Sequence, residues 1–142
     1  MPVSHVICAT PAYLRRYGTP DSPQALREHC CISLGETPAD SRWKFRLGEK
    51  SETIQTHGRY AANHTGVRLD AVKNHLGIGS LPLFTARESL ANGEIVQVLP
   101  EWEFISDYSG DLWLLWTRNQ HMPARMRAMI DYLSEKLPQH HR

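Results

Sequence analysis

The apolar run Val6-Ile7-Cys8-Ala9 passes into Thr10-Pro11 with no loop between them. That junction constrains the fold more than any other feature of the chain. Four consecutive apolar residues before a helix start read as a strand buried on both faces. Thr10 is a good helix cap, and Pro11 at the first helical position lacks an N–H that would have no helical partner there. Gly18 supplies a left-handed ending. Ser22-Pro23 repeats the cap-plus-proline signal and predicts a second short helix over residues 24–29. A strand that feeds a helix directly is the opening of an α/β unit.

The rest of the chain keeps that alternation. Cys31-Ile32-Ser33-Leu34 reads as a short strand, and residues 35–41, with Pro38, as a loop. Trp43, Phe45 and Leu47 alternate with Lys44 and Arg46, the period-2 pattern of a half-buried strand. Residues 52–60 form a weaker strand that pairs with it as a hairpin. A helix starts at residues 63–65 and ends at Gly77, with Thr65, Leu69, Val72 and Leu76 on one face. That stripe fits core packing or an oligomer seam. Residues 78–82 form a buried strand. Thr85 and Glu88 match a capping box for the next helix, which Asn92-Gly93 closes. Residues 95–99 form a strand, 100–110 an irregular connector, and Leu112-Trp113-Leu114-Leu115-Trp116 a central strand apolar on both faces. Pro123 opens a last helix with a stripe of Met126, Met129, Ile130, Leu133 and Leu137. Pro138 stops it, and the polar tail 139–142 frays. The class is α/β, with a mixed, largely parallel sheet covered by helices.

Charge excludes several functions. The net charge of the 142 residues is +1, with both signs mixed, so no basic footprint for nucleic acid is present. The three cysteines have no CxxC spacing and suit a reducing compartment. MPVSHVICAT lacks a secretory pattern, and no run approaches the roughly 20 apolar residues of a membrane helix. The eight histidines have no metal-ligand spacing. Ser33, Ser80 and Cys31 have no nucleophile elbow, and Gly77-x-Gly79 enters a strand, unlike a dinucleotide fingerprint. No enzyme, cofactor or metal is expected.

Six separated pieces resemble LysR-type transcriptional regulators, in that family's order: ATPAYLRRYGTPDSPQALREHCC, WKFRLGEK, GRYAAN, GIGSLP, LANGEIVQVLPEW and MPARMRAMIDYL. The resemblance implies the C-terminal part of an effector-binding domain with a periplasmic-binding-protein-like type II fold. It implies a second lobe over residues 1–105. Residues 106–142 would be the returning strand and helix of an incomplete first lobe. In that family the first block lies past the middle of the chain, so the resemblance implies a truncated regulator without its helix-turn-helix.

It further implies a cytoplasmic protein with a small-molecule, carboxylate-bearing effector and no direct nucleic-acid binding. Self-association or pairing with an intact family member follows from apolar faces left without first-lobe partners. A small solute-binding protein of transport, or a remnant without selected activity, are the alternatives. Helix N-termini attract small anions. The effector residues implied are therefore Thr10 at the first helix and Asn63, His64 and Thr65 at the third. The same residues also fit ordinary helix caps.

Overall fold

A computed structural model describes residues 2–118 and 121–137. In chain order the strands and helices are β1 Pro2–Val3, β2 His5–Ala9, α1 Pro11–Tyr17, β3 Cys31–Ile32, β4 Arg42–Leu47, β5 Lys50–Gln55, α2 Thr65–Lys73, β6 Ile78–Pro82, α3 Leu83–Ala91, β7 Val96–Gln97, β8 Glu103–Ile105, β9 Gly110–Asp111 and α4 Ala124–Lys136. Short 3-10 helices occupy Pro23–Glu28 and Pro38–Ser41. The helix stop at Pro138 and the frayed tail lie outside the described residues. No helix among the described residues is long and apolar enough to cross a membrane.

The main sheet has the order β3-β6-β2-β7, and a second sheet has the order β5-β4-β8. Only β3–β6 pairs in parallel, while β2–β6 and β2–β7 are antiparallel. The sheet is mixed, as the sequence implies, but its parallel share is one pairing of three. β2 explains its unbroken apolar run. Ile7 and Ala9 face a core shared with Trp43, Phe45 and Trp102. Cys8 and Val6 face the opposite core with Ala71, Val72 and Ala86 of α2 and α3. Gly79 lets α2 approach β6, since a Cβ there would collide with the Val72 side chain.

Several boundaries differ from the sequence reading. The second predicted helix is a 3-10 turn, closed by i to i+3 bonds such as His29 N–H to Leu26 O at 3.1 Å. Its Ser22 side chain makes no cap. The α2 helix stops at Lys73, a turn before Gly77, because His75 takes a φ of 62°. Its fully buried residues are Arg68, Ala71 and Val72, and Leu76 is exposed. The α3 helix begins at Leu83 after Pro82, so Thr85 sits inside it and forms no capping box. The predicted strand over 95–99 shortens to β7 as Leu99 takes a φ of 52°. Strand β5 ends at Gln55, short of residue 60.

The 100–110 connector contains β8, which pairs with β4 and sets Phe104 against Trp43 with ring centroids 5.5 Å apart. The alternation Trp102-Glu103-Phe104 carried that signal. The predicted central strand at 112–116 is absent. A strand needs a neighbour, and no described strand pairs with this segment. Its Trp113 and Leu115 are 74% and 84% exposed. No residue of α4 is buried.

Candidate functional site

The antiparallel β2–β6 register, with His5 opposite Pro82, decides what meets at each end of the sheet. One end gathers His5, Pro82 and the exit of β3 at Ser33 and Leu34. The N-terminus of α2 joins that end through the Ser33–Ala61 bridge and the Ala62 N–H to Ser33 O bond of 3.1 Å. The other end gathers Ala9, Thr10 and the residues just after α2.

Thr10 lies at that second end. It is 3% exposed, its Oγ1 accepts from the Tyr13 N–H at 3.1 Å, and it shares a 2.7 Å hydrogen bond with His75 Nδ1. Asn63, His64 and Thr65 lie at the first end. Asn63 Nδ2 donates to Glu36 Oε1 at 3.2 Å. His64 caps α2, its Nδ1 accepting from the Val67 N–H at 3.3 Å. Thr65 Oγ1 accepts from Thr85 Oγ1 at 3.3 Å. The nine residues of α2 keep Thr10 about 13 Å of helix away from the other three. The structure therefore brings Asn63, His64 and Thr65 together and leaves Thr10 apart.

Arg68 is the residue that sequence reasoning passed over. It is 1% exposed. Its Nε donates to Ser80 O at 3.0 Å, and Nη1 donates to Ala62 O at 2.7 Å and Asn63 O at 3.2 Å. All three acceptors are neutral carbonyls. Burial pushes the guanidinium pKa down, and the Asp40 and Glu36 carboxylates partly oppose this. The clamp ties the residues before α2 to β6, and so holds the α2 N-terminus in place. Its sequence signal was position: Arg68 stands four residues before Val72, on the buried face.

A cavity of about 700 Å³ opens at this end, lined among others by His5, Thr65, Arg68, Pro82, Phe84 and Leu112. That volume is in the range of small-molecule sites. The walls include residues from both chain passages, because β1 pairs with β9 beside it. His5 Nδ1 lies 3.1 Å from Ser109 Oγ across that passage. Burial, and then the Arg68 charge, lower the His5 pKa, so its imidazole is neutral near pH 7. Of Asn63, His64 and Thr65, Thr65 alone lines this cavity. Burial pushes the Cys8 and Cys31 thiols up to about 12, which makes them poor nucleophiles. Among the described residues no group of three His, Cys, Asp or Glu is arranged to hold a metal.

A family model described as the LysR substrate binding domain matches residues 1–138. The chain is 78% identical over 138 residues to the probable HTH-type transcriptional regulator LtrA of Klebsiella pneumoniae, covering 97% of this chain and 45% of that protein. It is 33% identical over 134 residues to the HTH-type transcriptional regulator PtxR of Pseudomonas aeruginosa, covering 93% of this chain and 41% of that protein. The chain thus spans less than half the length of these relatives. The full-length structure of the Vibrio cholerae virulence activator AphB superposes with a TM-score of 0.79 at 26% identity, covering 94% of this chain and 44% of that one.

Proposed function

The chain belongs to the LysR substrate-binding domain family, and from that premise we propose that its cavity at the α2 N-terminus takes the small-molecule effector of a transcription regulator. In this reading residues 1–105 are the second lobe, and residues 106–142, which carry β9 and α4, return to the first. Thr65 meets the effector on the cavity wall, and Asn63 and His64 stand beside it at the cap of α2. Thr10 holds the far end of α2. The observation that carries the reading is the juxtaposition of that helix N-terminus with a ligand-sized cavity whose lining includes a buried arginine.

The effector is a carboxylate. Exposed N–H groups and the helix dipole favour an anion there, and Arg68 adds a full positive charge. The protein acts in the cytoplasm without enzymatic activity, and this chain makes no DNA contact of its own. Its macromolecular partner is a second copy or an intact relative. Thermal-shift measurements of the 142-residue chain with aromatic and short-chain carboxylates test the reading. A ligand that binds only the folded state raises the melting temperature with concentration. No shift with any of these compounds contradicts it.

A further inference from the structure

Tyr13 Oη lies 3.0 Å from His29 Nδ1, and the same oxygen accepts the Cys30 N–H at 3.2 Å. Tyr13 is 3% exposed, and its ring packs against the His29 ring with centroids 5.7 Å apart. These contacts hold the corner where the 3-10 turn Pro23–Glu28 passes into β3. The donors present set the direction of each bond. A phenol has one hydrogen to donate. Cys30 already donates to this oxygen, so a second donor at Nδ1 would leave the phenol hydrogen buried without an acceptor. Tyr13 therefore donates to a bare Nδ1, and the neutral imidazole carries its hydrogen on Nε2.

Protonating His29 breaks this arrangement, because an imidazolium donates from both nitrogens and Nδ1–H then meets O–H. The titratable groups around His29 are Tyr13 and Tyr17 of α1, Glu28, Cys30 and Cys31 beside it, and His57 from the segment that bridges Cys30. Burial favours the neutral ring, and the Glu28 charge opposes it more weakly. His29 is only half-buried, so the charged ring can turn to water without rearranging either core. What it leaves behind is a tightly fitted corner. Cys31 N–H donates to His57 O at 2.7 Å, Ile78 N–H donates to Cys30 O at 2.9 Å, and a Cβ at Gly58 would collide with Cys31 O. We propose that the Tyr13–His29 pair is a proton-operated latch. With His29 neutral it holds Cys30 and Cys31 against residue 57 and β6, and with His29 charged it releases them while both cores stay folded. The proton binds the released form more tightly because His29 is solvated there, so acid shifts the population toward release. The latch stands at the start of β3, away from the cavity beside its exit, and does not depend on the effector reading.

Nitrogen-15 spectra and amide exchange of the whole chain test this. At neutral pH the His29 ring is expected as the Nε2–H tautomer. Between about pH 7.5 and pH 5, as His29 charges, protection of the Cys31 and Ile78 amides is expected to fall about tenfold or more beyond any change at Phe45. In His29→Gln the side-chain carbonyl still accepts from Tyr13 and takes up no proton. That variant is expected to lose no more protection at Cys31 and Ile78 than at Phe45. An Nδ1–H tautomer at neutral pH overturns the proposal, as does unchanged protection at Cys31 and Ile78 once His29 is charged. A loss of equal size at Phe45 means that the whole fold opens rather than the corner, and an acid loss that persists in His29→Gln places the proton elsewhere. Either result also overturns it.

Discussion

Thr10 Oγ1 and His75 Nδ1 lie 2.7 Å apart, joining the strand–helix junction after β2 to the left-handed turn that ends α2. The same oxygen caps α1 through the Tyr13 N–H. One buried hydroxyl therefore fixes two helix ends at once.

Replacing that hydroxyl should cost stability and leave binding alone. Thr10→Val keeps the volume but removes both bonds, with an expected loss of about 1–2 kcal/mol. Thr10→Ser should recover most of it. Urea unfolding measures the loss, and hexanoate affinity, controlled from the opposite end of α2, should stay within about twofold. A large affinity change in Thr10→Val would place the site at the wrong end of the helix.

Acid should weaken the fold through His5 and His29. Both have pKa values below the ordinary 6.5, His5 by burial and then Arg68, His29 by burial with Glu28 opposing. The unfolded chain then binds protons at a higher pH than the folded one. Stability is full above the unfolded value and falls as pH drops through 6.5 toward the lower folded values. His5→Gln should flatten part of that decline. Denaturant midpoints measured across this range for the two proteins check it, and parallel curves would remove His5 from the account.

The segment at 112–116 and one face of α4 should drive self-association. Trp113, Leu115, Met129 and Tyr132 are each more than half exposed. Exposed apolar side chains of this kind mark an interaction face or an aggregation liability where they adjoin. Sedimentation velocity should find association that rises with concentration and falls in the double variant Trp113→Ser, Leu115→Ser. A monodisperse wild-type monomer at high concentration is the opposing outcome.

The sequence made the local signals legible and the tertiary ones less so. The junction at Ala9 and Thr10, the Trp43/Phe45 alternation and the buried run of β6 follow from period and capping, and all appear in the structure. The segment at 112–116 failed because apolar content specifies burial while a strand also requires a neighbour. The end of α2 was misplaced because His75 adopts a conformation that the sequence assigned to glycine. The candidate site was half legible. Capping residues located the α2 N-terminus, but the same chemistry also marked Thr10, which differs only in where the sheet register puts it. Arg68 escaped notice because a lone arginine is ordinarily solvated, and only packing reveals one held at 1% exposure by three carbonyls.

The central claim is that ligand binds at the Arg68 end of α2. Amide chemical-shift mapping of the chain during hexanoate titration tests it most directly. Saturable shifts are expected at His5, Thr65, Gly66, Val67 and Phe84, with the amides of Thr10, Tyr13 and His75 unmoved. Shifts confined to Thr10, Tyr13 and His75, or none at saturating hexanoate, would contradict it.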